Sequence, residues 1–311
     1  MAPPSLRAVS SKEDALVSSL IAFMEGGTAP WRREWDGPQA GHHVNLFSGR
    51  PYRGANPILL TIGLHQRAAT LPYWCGASEA KAHGLVPREG SKAIRVLRPQ
   101  IIRRKGAPTP TKIQDDQGDA PSQAGCWIRY FPVPVFNAGD LEGEALERLI
   151  DVRREEGART RRPEPERLAQ AEVVLARWPV PMGHGGSQAF YDPQADRIQL
   201  PDRKAFHSSA ALYATWAHEV LHSTGHPSRL NRDLSGGLGS IAYASEELVA
   251  ELGAVLLGDR LEIGSNVANH AAYLSEWIRL LRASPNLLYK LLSNARRAAD
   301  LICPPQPLPG G

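Results

Sequence analysis

The chain has 311 residues, 42% of them hydrophobic, and a formal net charge of +4. That supports a buried core and one large or two ordinary domains, and excludes disorder throughout. No run of eighteen apolar residues occurs, the N-terminus reads without a secretory signal, and Cys75, Cys126 and Cys303 are too scattered for a disulfide framework or a cysteine metal cluster. A cytoplasmic protein is expected.

Charge is divided unevenly. Residues 1–138 carry 17 Lys/Arg against 10 Asp/Glu, and residues 139–311 carry 19 against 22. A basic first half joined to a slightly acidic second half suggests two tasks, one of them holding a polyanion.

The first predicted helix spans residues 12–25, with apolar positions at Leu16, Leu20, Ile21, Phe23 and Met24, and ends at Gly26-Gly27. Trp31-Arg32-Arg33-Glu34-Trp35 follows. Two tryptophans around an arginine pair suit sequence-tolerant binding of single-stranded nucleic acid, the rings stacking on bases and the guanidinium groups meeting phosphate. The alternative is that both rings are core anchors. Residues 45–56 form a short basic and aromatic stretch holding Tyr52, Arg53 and Asn56. Helices are expected over 57–67 and 78–83, then a strand over 90–98 bearing Lys92 and Arg95. A polar loop from Arg103-Arg104-Lys105 to about residue 124 leads to a returning strand over 127–136. This basic hairpin, with the aromatic-bearing loops, is the expected strand-binding groove. Residues 141–176 are charged and helix-permissive, and read as the connection between domains.

In the second half, residues 183–191, a turn, and residues 197–201 read as two strands just before the most informative stretch, His218-Glu219-Val220-Leu221-His222. This is H-E-x-x-H, expected on a helix over about 208–224 with Gly225 as its C-terminal cap. Residues four apart share a helix face, so both imidazoles aim at one metal ion, and Glu219 is placed to serve as general base. A catalytic ion of this type needs a third protein ligand. His226 does not have the spacing of H-E-x-x-H-x-x-G-x-x-H. Glu247 and Glu251 lie four apart on the packing face of a further helix over 243–254, where two carboxylates are costly unless a cation or donors accompany them. Glu247 is therefore expected as third ligand, and Glu251 as a carboxylate behind the ligands that orients an imidazole. Glu246 is expected to face solvent. Tyr243, His226 and Arg229 are all candidates for stabilising an oxyanion. Zn2+ is the expected ion, with Mn2+ or another divalent metal as the alternative. Helices over 269–283 and 285–302 and a proline-rich tail complete the chain.

Several stretches together carry a family resemblance: Pro30-Trp31, residues 45–56 with Tyr52-Arg53-Gly54 and Asn56, Val135-Phe136-Asn137, and residues 218–232, 243–254 and 273–281. Over nearly its whole length the sequence resembles the ArdC-type antirestriction proteins of conjugative plasmids. The resemblance implies an α+β chain of two domains, a small mixed α/β N-terminal domain binding single-stranded DNA and a zincin-like metallopeptidase domain. The expected boundaries are 1–138, a linker over 139–165, and 166–311. It further implies protection of incoming plasmid DNA from host restriction during conjugation, and a host restriction component or other protein as peptidase substrate. It supports His218, His222 and Glu247 as ligands and Glu219 as base. The alternative is a non-enzymatic single-strand-binding antirestriction factor with a structural or vestigial metal site.

Overall fold

The computed structural model describes residues 13–32, 35–36, 41–103, 126–265 and 271–305. In its first half it has α1 (Glu13–Glu25), β1 (Val44–Asn45), α2 (Asn56–Arg67), β2 (Tyr73–Cys75), α3 (Ala77–Ala82), β3 (Val86–Pro87), β4 (Ile94–Arg103), β5 (Cys126–Asn137) and β6 (Leu141–Glu142). There follow α4 (Leu146–Thr160), α5 (Glu164–Ala176), β7 (Met182–His184), β8 (Phe190–Asp192), β9 (Arg197–Leu200), α6 (Ser209–Ser223), α7 (Ile241–Leu261), α8 (Ala271–Ala283) and α9 (Leu287–Ile302). None of the described helices is long and apolar enough to cross a membrane.

Two compact units result, and they do not follow chain order. One comprises residues 44–50 and 73–153, the other residues 1–43, 51–72 and 154–311. Helices α1 and α2, expected to belong with the first domain, pack within the same unit as α6 and α7. Both are strongly apolar helices, and α2 buries nine consecutive residues, Asn56 through Leu64, which only a large helical core accommodates. The expected linker is also ordered, since α4 and α5 fill most of 146–176.

The smaller unit holds a four-stranded sheet in the order β1-β2-β5-β4, and a two-stranded one, β3-β6. β4 and β5 form a long antiparallel hairpin with Ile94 opposite Val135, Val96 opposite Val133, and Arg98 opposite Phe131. At its base the side chains on one face, Ile94, Val96 and Val135, are buried; farther along the same face stand Arg98 and Gln100, both exposed. Strand alternation therefore runs from a core face into a solvated one. The tip, including the expected Arg104 and Lys105, lies outside the described residues.

The larger unit is a helical core backed by the sheet β7-β9-β8. Two strands were expected here and three form. The segment 183–191 is divided by Gly185 (φ 126°) and Gly186 (φ 69°), conformations that glycine adopts readily and L side chains rarely do. β7 then pairs parallel with one side of β9, while β8 pairs antiparallel with the other and ends the sheet. The α6–α7 contact is close because residue 253 is glycine: a Cβ there would lie 2.8 Å from Leu221 Cδ2. Val220, Leu221, Ala250, Ala254 and Leu257 from these helices form the centre of the core with Ile198 and Leu200 of β9.

Candidate metal centre

Helix α6 begins where Ser208, in extended backbone, accepts a hydrogen bond from Ala211 N–H (3.1 Å). It ends at Thr224, whose conformation is right-handed. Gly225 is therefore not the expected left-handed cap. It is needed for another reason: a Cβ there would lie 2.9 Å from Leu234 Cδ2 and 3.1 Å from Arg232 Nη2. The chain after the helix folds back over this glycine, and two arginines satisfy its terminal carbonyls. Arg229 Nε donates to Ser223 O (2.6 Å) and Arg232 Nη2 to Leu221 O (2.9 Å). α7 starts similarly, with Ser240 Oγ accepting from Tyr243 N–H (3.1 Å).

These two helices bring three expected ligands together. Among the described residues, His218, His222 and Glu247 offer donor atoms that all lie within 4.8 Å of one another. The two Nε2 atoms face each other at 3.1 Å. Glu247 Oε2 is 3.7 Å from His218 Nε2, and Oε1 is 3.6 Å from His222 Nε2. Two imidazoles and a carboxylate converging on one point is the donor set of a divalent-cation site with room for a further ligand. The surrounding charges agree. Burial works against a low pKa for Glu247, yet hydrogen bonding from His218, the nearby His222 charge and the Tyr243 hydroxyl hold it at about 2. Burial likewise opposes charge on His222, but Glu246 and Glu247 raise it to about 9. The cluster favours positive charge at its centre.

Glu219 is buried beside the ligands. Burial pushes its pKa above the ordinary carboxylate range, against the pull of His218 and His222 and, more weakly, of the Tyr191 backbone. Tyr191 lies on β8, the end strand, so an open sheet edge runs beside the expected base.

The carboxylate that orients His222 is Glu246, contrary to the expectation that it faces solvent. Glu246 Oε1 lies 3.2 Å from His222 Nδ1, and Arg232 grips the same carboxylate through Nε (2.8 Å) and Nη2 (2.7 Å). This bidentate pair and the imidazole hold Glu246's pKa down although it is buried. Bonding at Nδ1 leaves Nε2 of His222 to face the site. Glu251, one turn beyond Glu247, is 1% exposed and accepts from Trp31 Nε1 (3.2 Å) and Arg32 Nε (3.1 Å). Burial raises its pKa, while Arg32 and His218 are the charges that most oppose the rise. Neither Glu246 nor Arg232 was expected from the sequence. A polar residue opposite a buried helix face gives a signal only when its partner is known, and Arg232 sits in an irregular segment.

The oxyanion candidates separate by position. His226 Nδ1 pairs with Ser228 Oγ (2.7 Å), and Arg229 is bound to Asp196 and to Tyr191 Oη (3.2 Å). Tyr243 reaches the cluster, contacting Glu247 and lying 3.1 Å from the Tyr273 hydroxyl.

The residues expected to bind DNA divide sharply. Trp31 and Trp35 are 1% and 6% exposed, so neither presents a face to a base. Trp31 packs on Trp277 (centroids 5.7 Å) and Trp35 edge-on to His42 (5.0 Å). Both tryptophans are core anchors, the alternative weighed above, because a helical core is available to cover them. Arg32 is engaged with Glu251, and Asn56 is buried at the start of α2. Tyr52 is half-buried and Arg53 exposed. In the other unit Lys92 is exposed and Arg95 half-buried. Arg103 ends β4, while Arg33, Arg104 and Lys105 lie outside the described residues. The sequence reading did not single out Arg98, Arg129 and Tyr130, all exposed on the hairpin, with Arg129 lying over the Phe131 ring at 5.2 Å.

Residues 169–293 match the zincin-like metallopeptidase family, and residues 11–131 match the N-terminal domain of anti-restriction factor ArdC. The chain is 33% identical over 298 residues to a DNA primase TraC of Escherichia coli, covering 93% of this chain but only 27% of that protein. The chain thus spans little more than a quarter of that relative's length. An uncharacterized protein of Sinorhizobium fredii, y4eC, is 30% identical, with 92% of this chain and 90% of that one aligned. Crystal structures of the antirestriction protein ArdC from plasmid R388 superpose well. The metal-free form has a TM-score of 0.67 and 28% identity over 94% of this chain and 96% of that one, and the Mn(II)-bound form a TM-score of 0.65. An N-terminal ArdC-type domain, a zincin-like domain and a donor set fit for a divalent metal together place the chain in the family of ArdC-type antirestriction proteins.

Proposed function

We propose that this protein binds single-stranded DNA and carries a metal-dependent peptidase site, acting in the cytoplasm to protect incoming plasmid DNA from host restriction during conjugation. In functional terms DNA binding lies within residues 1–138, on the β4–β5 hairpin, residues 139–165 connect, and residues 166–311 supply the ligands and the base of the peptidase site. The observation that carries the proposal is the convergence of His218, His222 and Glu247 with buried Glu219 beside them. A purely structural site has no use for a buried carboxylate that does not ligate, because its burial costs stability without return.

His218, His222 and Glu247 would hold the ion, Zn2+ by donor type with Mn2+ as the alternative. Such an ion supplies Lewis acidity, activating a water and polarising a carbonyl. Glu219, its pKa raised by burial, takes the proton of the attacking water and returns it to the leaving amine. Tyr243, beside Glu247, is the group we assign to the developing oxyanion. The free edge of β8 gives an extended peptide a backbone to pair with.

DNA binding is placed on the β4–β5 hairpin and its neighbours rather than on the tryptophans. Arg98, Arg129 and Lys92 are exposed cations of one unit, and Tyr130, 37% exposed, with half-buried Phe131 offers rings for stacking. The test is Glu219→Ala in the full chain. Peptide cleavage should fall by a factor on the order of 10² to 10⁴ while metal content and DNA binding remain. Antirestriction that survives the change in full would favour the non-enzymatic reading.

A further inference from the structure

We propose that Trp31 and Arg32, from the N-terminal stretch, are positioning residues of the metal centre, fixing both α7 carboxylates from one side. This rests on the metal-site reading above. The pair lies far from the motif helix in sequence, which begins only at Ser209, yet all residues concerned belong to one compact unit.

The geometry gives two routes from one ring. Directly, Trp31 Nε1 and Arg32 Nε both donate to Oε1 of Glu251, at 3.2 and 3.1 Å. Indirectly, Trp31 packs on Trp277 (5.7 Å), Trp277 stacks with Tyr273 (6.0 Å), and the Tyr273 hydroxyl meets that of Tyr243 at 3.1 Å. Tyr243 in turn contacts Glu247, the carboxylate of the ligand set. Glu247 and Glu251 are four residues apart and so share a face of α7. The second Glu251 oxygen and His218 Nδ1 are both shut off from solvent. A carboxylate removed from water needs fixed donors to keep its orientation, since water is not there to supply them. Among the described residues, Trp31 both donates to Glu251 and begins the aromatic stack toward Glu247. The stretch that looked like a base-stacking element is, by this geometry, the far wall of the peptidase site.

The test uses the full-length protein with Trp31→Phe, which keeps the ring and removes the N–H, and with Arg32→Gln and Arg32→Lys. Zn2+ and Mn2+ are titrated by calorimetry, thermal unfolding is followed in chelator, and oligonucleotide affinity is measured in parallel. Metal affinity should fall about tenfold in Trp31→Phe and Arg32→Gln. Arg32→Lys should recover part of the loss, and DNA affinity should stay within twofold. Unchanged metal affinity would overturn the proposal, including the case where only the chelated protein unfolds earlier, which would mark the pair as structural. A fall in DNA affinity with metal affinity intact would return the pair to the nucleic-acid surface. Failure of the underlying reading looks different: wild-type protein would then take up neither ion.

Discussion

The metal centre and the basic hairpin are opposite kinds of surface. At the centre, His218, Glu219, Glu246, Glu247 and Glu251 all project from two helices, all are buried, and each has named partners. On the hairpin, Arg98, Arg129 and Tyr130 are exposed, and the element is a two-stranded ribbon beyond its base. Buried charge must be compensated by specific neighbours, so a site of that kind leaves a spacing pattern in the chain. Exposed charge requires nothing of its neighbours and leaves only composition. The first kind of site should therefore respond sharply to single changes, and the second weakly and additively.

The largest expected effect is on chemistry. Glu219→Ala should lower peptide cleavage by a factor on the order of 10² to 10⁴, with metal content by elemental analysis unchanged. A variant that loses its metal as well would mean that Glu219 holds the site together rather than acting on substrate. Next comes Arg232→Ala. It strips Glu246 of its bidentate partner inside the protein, which should cost about 3 kcal/mol in chemical denaturation and weaken metal binding some tenfold. Loss of stability alone would separate the arginine from the site.

On the hairpin, Arg98→Glu with Arg129→Glu should weaken oligonucleotide binding and flatten its salt dependence by roughly 1.4 in log–log slope, two phosphate contacts on a single strand. An unchanged slope would move the DNA surface elsewhere. The smallest effect concerns His42, which sits 3.3 Å from Asp259 and 3.5 Å from Glu262. Burial disfavours its charge, but these carboxylates win and raise its pKa to about 9. A raised histidine pKa contributes stability that is fully present below pH 6.5 and is lost as pH climbs through 9. With the ring 36% exposed, water screens the pair, and about 1 kcal/mol is expected. His42→Ala should therefore lie below wild type in denaturation midpoint at pH 6 and meet it near pH 10.

What the sequence disclosed follows the same division. H-E-x-x-H and the Glu247/Glu251 spacing were legible because helical periodicity maps spacing onto a face. Helices α1, α2, α3, α8 and α9 and strand β5 lie within two residues of their expected bounds, while β4 runs over 94–103 where 90–98 was expected. Glu246 was misread because periodicity places it off the ligand face, and nothing local shows that residues 226–232 fold back to bring Arg232 onto it. Trp31 and Trp35 admit two readings from the sequence because their arginine neighbours match a binding motif as well as a buried wall. The burial of both rings, and for Trp31 the contact with Glu251, 220 residues on, decides between the two. The glycine pair that splits β7 from β8 acts through positive φ, which composition alone does not locate.

The most direct test is the metal content of purified full-length protein, wild type against His218→Ala, after equilibration with Zn2+ or Mn2+ and removal of loosely held ions. Wild type should retain about one ion per chain, and the folded variant should retain close to none. A wild type that retains no ion, or a variant that retains as much, would contradict the assignment of His218, His222 and Glu247 as a metal site.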